Sequence, residues 1–232
     1  MTRDIRDDIG HWVRPEIRAL AAYHVPDPGR CIKLDAMENP YGWPDELVDA
    51  WLARLRGVPL NRYPDPSARR LQDSLRAAMD VPADMGILFG NGSDELIQMI
   101  AQTVAAPGRT ILAPEPTFVM YRLIAQVTGM RFVGVPLRDD FALDTDALLE
   151  AVGREQPAVV FLAYPNNPTG NLFDAEAVRR ILVEAPGLVI VDEAYAAFAS
   201  DSFMGALGSQ PNLLVLRTVS KMGLAGLRLG LL

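Results

Sequence analysis

Cysteine is almost missing from this sequence: Cys31 is the only one in 232 residues, so no intrachain disulfide can form and nothing suggests a stapled, secreted scaffold. Histidine is nearly as scarce. His11 and His24 lie far upstream of the other candidate sites, without metal-ligand spacing around them and without the partners of a hydrolase triad, and no metal site is expected. Long apolar runs are lacking as well. The longest uncharged stretch, 156–173, carries Pro157, Pro165 and Pro168 together with Asn166, Asn167 and Asn171, which no ordinary membrane helix tolerates. Residues 1–9 mix Arg and Asp with no apolar h-region, so no signal peptide is expected. Positive charge is in deficit, with 22 Lys plus Arg against 29 Asp plus Glu and a net charge of −7, which argues against a bulk grip on nucleic acid or anionic lipid. The expectation is a cytoplasmic protein acting on small molecules, with local positive sites for any anionic ligand.

What is present is the material of a globular fold. Half of the residues are hydrophobic and 22% are charged, and at about 150 residues per domain the length suits one large domain with an appendage. From Gly86 onward, short β-branched runs at 86–89, 110–113, 131–135, 158–163, 188–191 and 213–216 alternate with helical patterns beginning near Ser93, Thr117, Asp144 and Asp174, each with a Ser, Thr or Asp placed to cap. That alternation predicts an α/β fold, a mainly parallel sheet between helical layers. The first 66 residues instead hold eight prolines and read as an arm with a strand at 32–36 and helices at 45–56 and 67–79. The closing run, Arg228-Leu229-Gly230-Leu231-Leu232, is strand-like and stops without a turn or polar tail, so the chain is expected to be cut in mid-element.

In an open parallel sheet, ligands bind outside the carboxyl ends of the strands, and four clusters fall there. Gly90-Asn91-Gly92-Ser93-Asp94-Glu95 precedes a helix whose free N–H groups and positive dipole end suit a phosphate, although a plain turn with an N-cap explains it equally well. Tyr164-Pro165-Asn166-Asn167-Pro168-Thr169-Gly170 fixes amide donors and acceptors between prolines, or is a bare turn. Asp192-Glu193-Ala194-Tyr195 puts a carboxylate at a strand end, as a base, a partner to a cation or a cap. Arg217-Thr218-Val219-Ser220-Lys221 followed by Gly223 and Gly226 sets a lysine in an apolar, glycine-rich setting that would depress its pKa and make the amine nucleophilic, although taken singly a solvated surface lysine explains it better.

In that order the clusters suit pyridoxal phosphate: a lysine for its aldehyde, an Asp for its ring nitrogen and a helix start for its phosphate. With Leu34 to Gly42, Arg62-Tyr63-Pro64-Asp65 and Pro116-Thr117-Phe118, they make the chain resemble the fold-type I aminotransferases of classes I and II, and within them the histidinol-phosphate branch. The resemblance covers almost the whole chain. It implies a three-layer large cofactor domain over 63–232, incomplete at its C-terminal end, preceded by an arm and part of a small domain over 1–62. It further implies that Lys221 binds the cofactor and shuttles a proton, that Asp192 faces the ring nitrogen, that Tyr195 and Asn167 hold the phenolic oxygen, and that Phe118 stacks on the ring. Ser93, Asp94, Ser220 and Arg228 would hold the phosphate, joined by Tyr63 from a second subunit of a homodimer, while Tyr23 would lie near the substrate. Phe118 and Met37 stand where relatives often have Tyr and Asn, and the segment from Lys221 to Arg228 is shorter by one residue than in some relatives. The implied reaction is exchange of an amino group between L-histidinol phosphate and 2-oxoglutarate. Threonine-phosphate decarboxylation, aromatic transamination and a non-catalytic fragment that keeps the cofactor cradle stay open as alternatives.

Overall fold

The computed structural model describes residues 10–21, 27 and 29–232. Seven strands form one sheet: β1 (Phe89–Asn91), β2 (Thr110–Glu115), β3 (Arg131–Pro136), β4 (Val159–Ala163), β5 (Leu188–Asp192), β6 (Leu213–Thr218) and β7 (Leu229–Leu231), in the order β1-β7-β6-β5-β4-β2-β3. The pairs from β3 through β6 are parallel, whereas β7 runs antiparallel to both β6 and β1. The α/β expectation holds, and the terminal apolar run is the one reversed strand.

The sheet is buried on both faces, which is why β4 and β5 read as continuous Val, Ile, Leu and Phe rather than as an alternating pattern. One face sets Val160, Leu162, Val189, Val191 and Val215 against α5 (Thr145–Glu155) and α6 (Ala175–Glu184). The other sets Ile111, Phe161, Ile190 and Leu216 against α3 (Gly92–Val104) and α4 (Met120–Thr128). Each fully buried Leu, Ile or Phe contributes about 1.5–3 kcal/mol by leaving water, so these central layers hold the domain. Asp144 and Asp174 cap α5 and α6 by accepting from Ala147 N at 3.1 Å and Ala177 N at 3.2 Å. Gly129, at φ +75°, ends α4 while the Met130 N–H reaches back to the Ala125 carbonyl.

Three local expectations are corrected. Ser93 and Thr117 do not cap: α3 starts at Gly92, and α4 starts three residues after Thr117, whose hydroxyl instead donates to Asn166 Oδ1 at 3.0 Å. The strand expected at 86–89 lies at Phe89–Asn91, since that is the stretch in register with β7. Residues 32–36 form no strand. Their alternation has no sheet edge to pair with, Ile32 and Leu34 are exposed, and Lys33 closes a local ion pair with Asp35 at 2.7 Å. Before the sheet, α1 (Asp45–Leu55) and α2 (Arg69–Ala78) bury no residue completely, although Leu75 of α2 rests on the core. No helix among the described residues is long and apolar enough to cross a membrane.

Candidate active site

The order of the sheet reverses between β2 and β4, where the chain first adds β3 outward and then returns to build the other side. Such a reversal leaves a crevice at the carboxyl ends of the strands. A cavity opens there, and the segments following β1, β2, β4, β5 and β6 all reach it.

Asp192, the last residue of β5, forms its floor and is 3% exposed. Its Oδ1 accepts from Ala194 N at 3.0 Å and its Oδ2 from the Tyr121 hydroxyl at 2.6 Å. Burial raises its pKa from 3.8 to about 6, partly offset by these two donors and reinforced by the nearby Asp94 and Glu193 carboxylates. Tyr195, in the turn after β5, is held above the ordinary phenol range by burial and then by Asp192. Its hydroxyl lies 3.4 Å from Asn167 Nδ2, so two polar groups from different strand ends meet at one point.

Lys221 sits in a short 3-10 turn (Ser220–Met222) beyond β6. Burial lowers its pKa, against the opposing pull of Glu38 and Asp94. Its Nζ donates to the Ala36 carbonyl at 2.6 Å and lies 5.3 Å from the centre of the Tyr195 ring. Thus the segment expected as a strand runs past the site instead. Gly223, at φ +93°, leaves room for it, because a Cβ there would stand 2.7 Å from Asn39 Nδ2.

The opposite requirement, a cradle for an anion, is met at the start of α3. The first turn of a helix has N–H groups without intrahelical partners, and Ser93 and Asp94 carry theirs into the cavity wall. Gly92 takes φ +77°, and a Cβ there would lie 2.4 Å from Arg228 Nη2. Only glycine brings the helix start and the guanidinium this close. Arg228 stands in the left-handed region at φ +49°, with Nη2 3.8 Å from Asp94 Oδ2. Ser220 completes the group, its hydroxyl 2.9 Å from that of Thr218.

The structure therefore brings Ser93, Asp94, Phe118, Asn167, Asp192, Tyr195, Ser220, Lys221 and Arg228 to one cavity. Tyr63 is not among them: it is fully exposed. Tyr23 lies outside the described residues. Sequence reasoning missed Tyr121, and it placed Thr218 in a cluster without giving it a role. Tyr121 follows Phe118 by three residues, one helical turn, which was the available signal that both rings share a wall.

A cavity with a buried carboxylate, a depressed lysine and a helix-start anion cradle can bind a small phosphorylated cation-bearing ring and do amine chemistry on it. Comparison with known proteins agrees with that chemistry. The model for aminotransferase class I and II matches residues 29–232. The chain is 59% identical over 227 residues to a protein named histidinol-phosphate aminotransferase 2 from Nitrosococcus oceani, covering 98% of this chain and 63% of that one. It is 62% identical over 187 residues to the histidinol-phosphate aminotransferase of Thiocapsa roseopersicina, covering 80% of this chain and 99% of that one. Among solved structures, the histidinol-phosphate aminotransferase of Sinorhizobium meliloti in complex with pyridoxal-5'-phosphate superposes with a TM-score of 0.78 at 30% identity, over 94% of this chain and 62% of that one.

Proposed function

Because the chain belongs to the class I and II aminotransferase family, we propose that it binds pyridoxal 5'-phosphate at Lys221 and serves the transfer of an amino group from L-histidinol phosphate to 2-oxoglutarate, a cytoplasmic step of L-histidine biosynthesis. The names of the relatives support the substrate pair. One observation carries the cofactor: the cavity offers a matching group to every polar end of the molecule. Lys221 meets the aldehyde, Asp192 the ring nitrogen, Asn167 with Tyr195 the phenolic oxygen, and the α3 start with Ser220 and Arg228 the phosphate.

When bound, the cofactor supplies an aldehyde that condenses with amines and a protonated ring that withdraws electrons from the substrate carbon. The chain's own residues do the rest. Ionised Asp192 would hold a proton on the ring nitrogen, since an adjacent carboxylate favours the cation. Asn167 and Tyr195 would donate to the phenolic oxygen, and Phe118 would stack on the ring. Lys221 would be the base that moves a proton at the amine-bearing carbon of the substrate, and its lowered pKa keeps a larger fraction uncharged. The N–H groups of Ser93 and Asp94, the Ser220 hydroxyl and the Arg228 guanidinium grip the phosphate through charge-assisted bonds.

Tyr63 reaches the phosphate of a neighbouring copy in a homodimer. Its full exposure, together with that of Leu60 and Tyr41, supports a face that a second chain covers.

The test uses the two lysines of the chain, Lys33 and Lys221. Purified protein is incubated with pyridoxal phosphate, its visible band recorded, the adduct reduced with borohydride and the pyridoxyl group located by mass spectrometry. The group is expected on Lys221, with Lys33 unlabelled and Lys221→Ala blank; a folded chain that takes no label overturns the cofactor assignment. Glutamate formation from 2-oxoglutarate with histidinol phosphate, and not with aromatic amino acids, tests the substrate.

A further inference from the structure

Tyr121 has no place in the chemistry above, yet it lines the same cavity and is completely buried. It is fully buried at the start of α4, its ring stacked on Phe161 with centroids 4.5 Å apart and planes 8° from parallel, and set edge-on to Phe118 at 5.6 Å and 86°. The aromatic packing thus fixes where the hydroxyl points, and it points at Asp192 Oδ2, 2.6 Å away. The second oxygen is fixed by Ala194 N at 3.0 Å, so the carboxylate cannot turn about its Cβ–Cγ bond without losing a donor.

We propose that Tyr121 is a positioning residue for Asp192, locking the plane of the carboxylate toward the cavity and favouring its ionised form through a hydroxyl that the protein interior has already oriented. The proposal rests on the reading of Asp192 as the partner of the cofactor's ring nitrogen. The surroundings make such a donor necessary. Around Asp192 stand Asp94 from α3, Glu193 and Tyr195 from the β5 turn and Tyr121 from α4, and the two carboxylates oppose its ionisation. The cations Lys221 and Arg228 line the same cavity, but neither makes a bond to it. In a buried carboxylate without a cationic partner, a neutral donor to the charged form is what remains to hold it ionised. The Tyr121 hydroxyl can serve only as that donor. Burial and then the Asp192 charge keep its own proton in place.

The decisive variant is Tyr121→Phe, which keeps the ring and its stacking and removes one oxygen. In the cofactor-free protein, the Asp192 carboxyl carbon, followed by NMR after carbon-13 labelling of aspartate and assigned with Asp192→Asn, is expected to titrate roughly one pH unit higher in the variant. The dissociation constant for pyridoxal phosphate is expected to rise about tenfold near neutral pH, with a smaller difference at high pH, where both carboxylates are ionised. Phe161→Leu is the control for packing: it loosens the ring but keeps the hydroxyl, and is expected to lower the melting temperature and to move the Asp192 midpoint by clearly less than Tyr121→Phe does. If Tyr121→Phe does not fold, 3-fluorotyrosine placed at 121 makes the hydroxyl a stronger donor, and the midpoint is expected to fall. An unchanged midpoint in Tyr121→Phe or with fluorotyrosine, or an equal shift in Phe161→Leu, overturns the proposal. The titration needs no cofactor, so a chain that fails to bind pyridoxal phosphate refutes the functional reading while the role of Tyr121 is still decided.

Discussion

The amine of Lys221 donates to the carbonyl oxygen of Ala36 at 2.6 Å, joining residues 185 positions apart. The contact ties the segment before α1 to the turn after β6, and it occupies the amine that the aldehyde of the proposed cofactor would have to reach. Burial disfavours the ammonium form, so the proton and the Ala36 contact are given up together when the amine reacts. Amine acylation by a small reagent, read at both lysines by mass spectrometry, is expected to show Lys221 half-reactive at a pH below the ordinary lysine value of 10.5. Gly223→Ala, which pushes Asn39 away, is expected to open the segment and raise the rate at Lys221. A rate at Lys221 that follows an ordinary lysine titration would refute the depressed amine.

Asp192 makes the cofactor-free protein less stable than it could be. Its folded pKa of about 6 lies above the unfolded value near 3.8. The folded state therefore holds the extra proton between those values, and stability falls as pH rises through that window, by up to about 3 kcal/mol once both states are ionised. Asp192→Asn, in which the Tyr121 hydroxyl can turn to accept from the new amide, removes that penalty. In urea unfolding without cofactor the variant is expected to exceed wild type by about 1–3 kcal/mol near pH 8 and to converge with it near pH 4. Adding pyridoxal phosphate is expected to reverse the order, because only wild type gains the full binding energy. Equal stabilities near pH 8 would mean that the buried carboxylate carries no penalty.

Glu193, next in sequence, is held differently. Its side chain has 0% exposure and faces Arg217, 14% exposed, whose Nε and Nη2 stand 2.9 and 2.8 Å from Oε2. Ser202 Oγ and the Phe203 N–H complete the shell, so the ends of β5 and β6 and the 201–204 loop share one charge pair. Arg217→Met leaves the carboxylate buried without its cation and is expected to cost about 3–5 kcal/mol, whereas adding Glu193→Gln to it recovers part of the loss. Additive losses in that double-mutant cycle, measured by urea unfolding, would show that the two residues act independently.

The parts of this molecule that were legible in sequence are those where a single requirement dominates. Val159 to Ala163 and Leu188 to Val191 must be apolar throughout because both faces are covered, and Lys221, Asp192 and Asn167 stand at strand ends where the parallel sheet opens. Residues 32–36 failed because alternation reports a face, not a partner, and no strand edge receives them. Tyr121 escaped notice for a related reason: in a helix with Ile124 and Ala125 an aromatic reads as core, and only the fold shows that its hydroxyl ends on Asp192. Tyr63, exposed in the single chain, owes its expected role to resemblance alone.

Gly92 allows the proposed phosphate cradle to be tested apart from the proposed ring contacts. Its φ of +77° already strains any side chain, and a Cβ would press on Arg228 Nη2 at 2.4 Å. The arginine side chain is half exposed, so it can swing outward and the fold can absorb the methyl group. What is lost is the close pairing of the guanidinium with the free N–H groups at the start of α3, and with it the charge-assisted part of anion binding. Gly92→Ala is therefore expected to weaken pyridoxal phosphate by about tenfold or more, a loss of ~1.4 kcal/mol or above, while leaving pyridoxal, which has no phosphate, bound as in wild type. Titration of both ligands by absorbance checks this. Equal weakening of the two would place the effect at the ring and not at the helix start, because a defect confined to the anion cradle cannot be felt by a ligand that carries no anion.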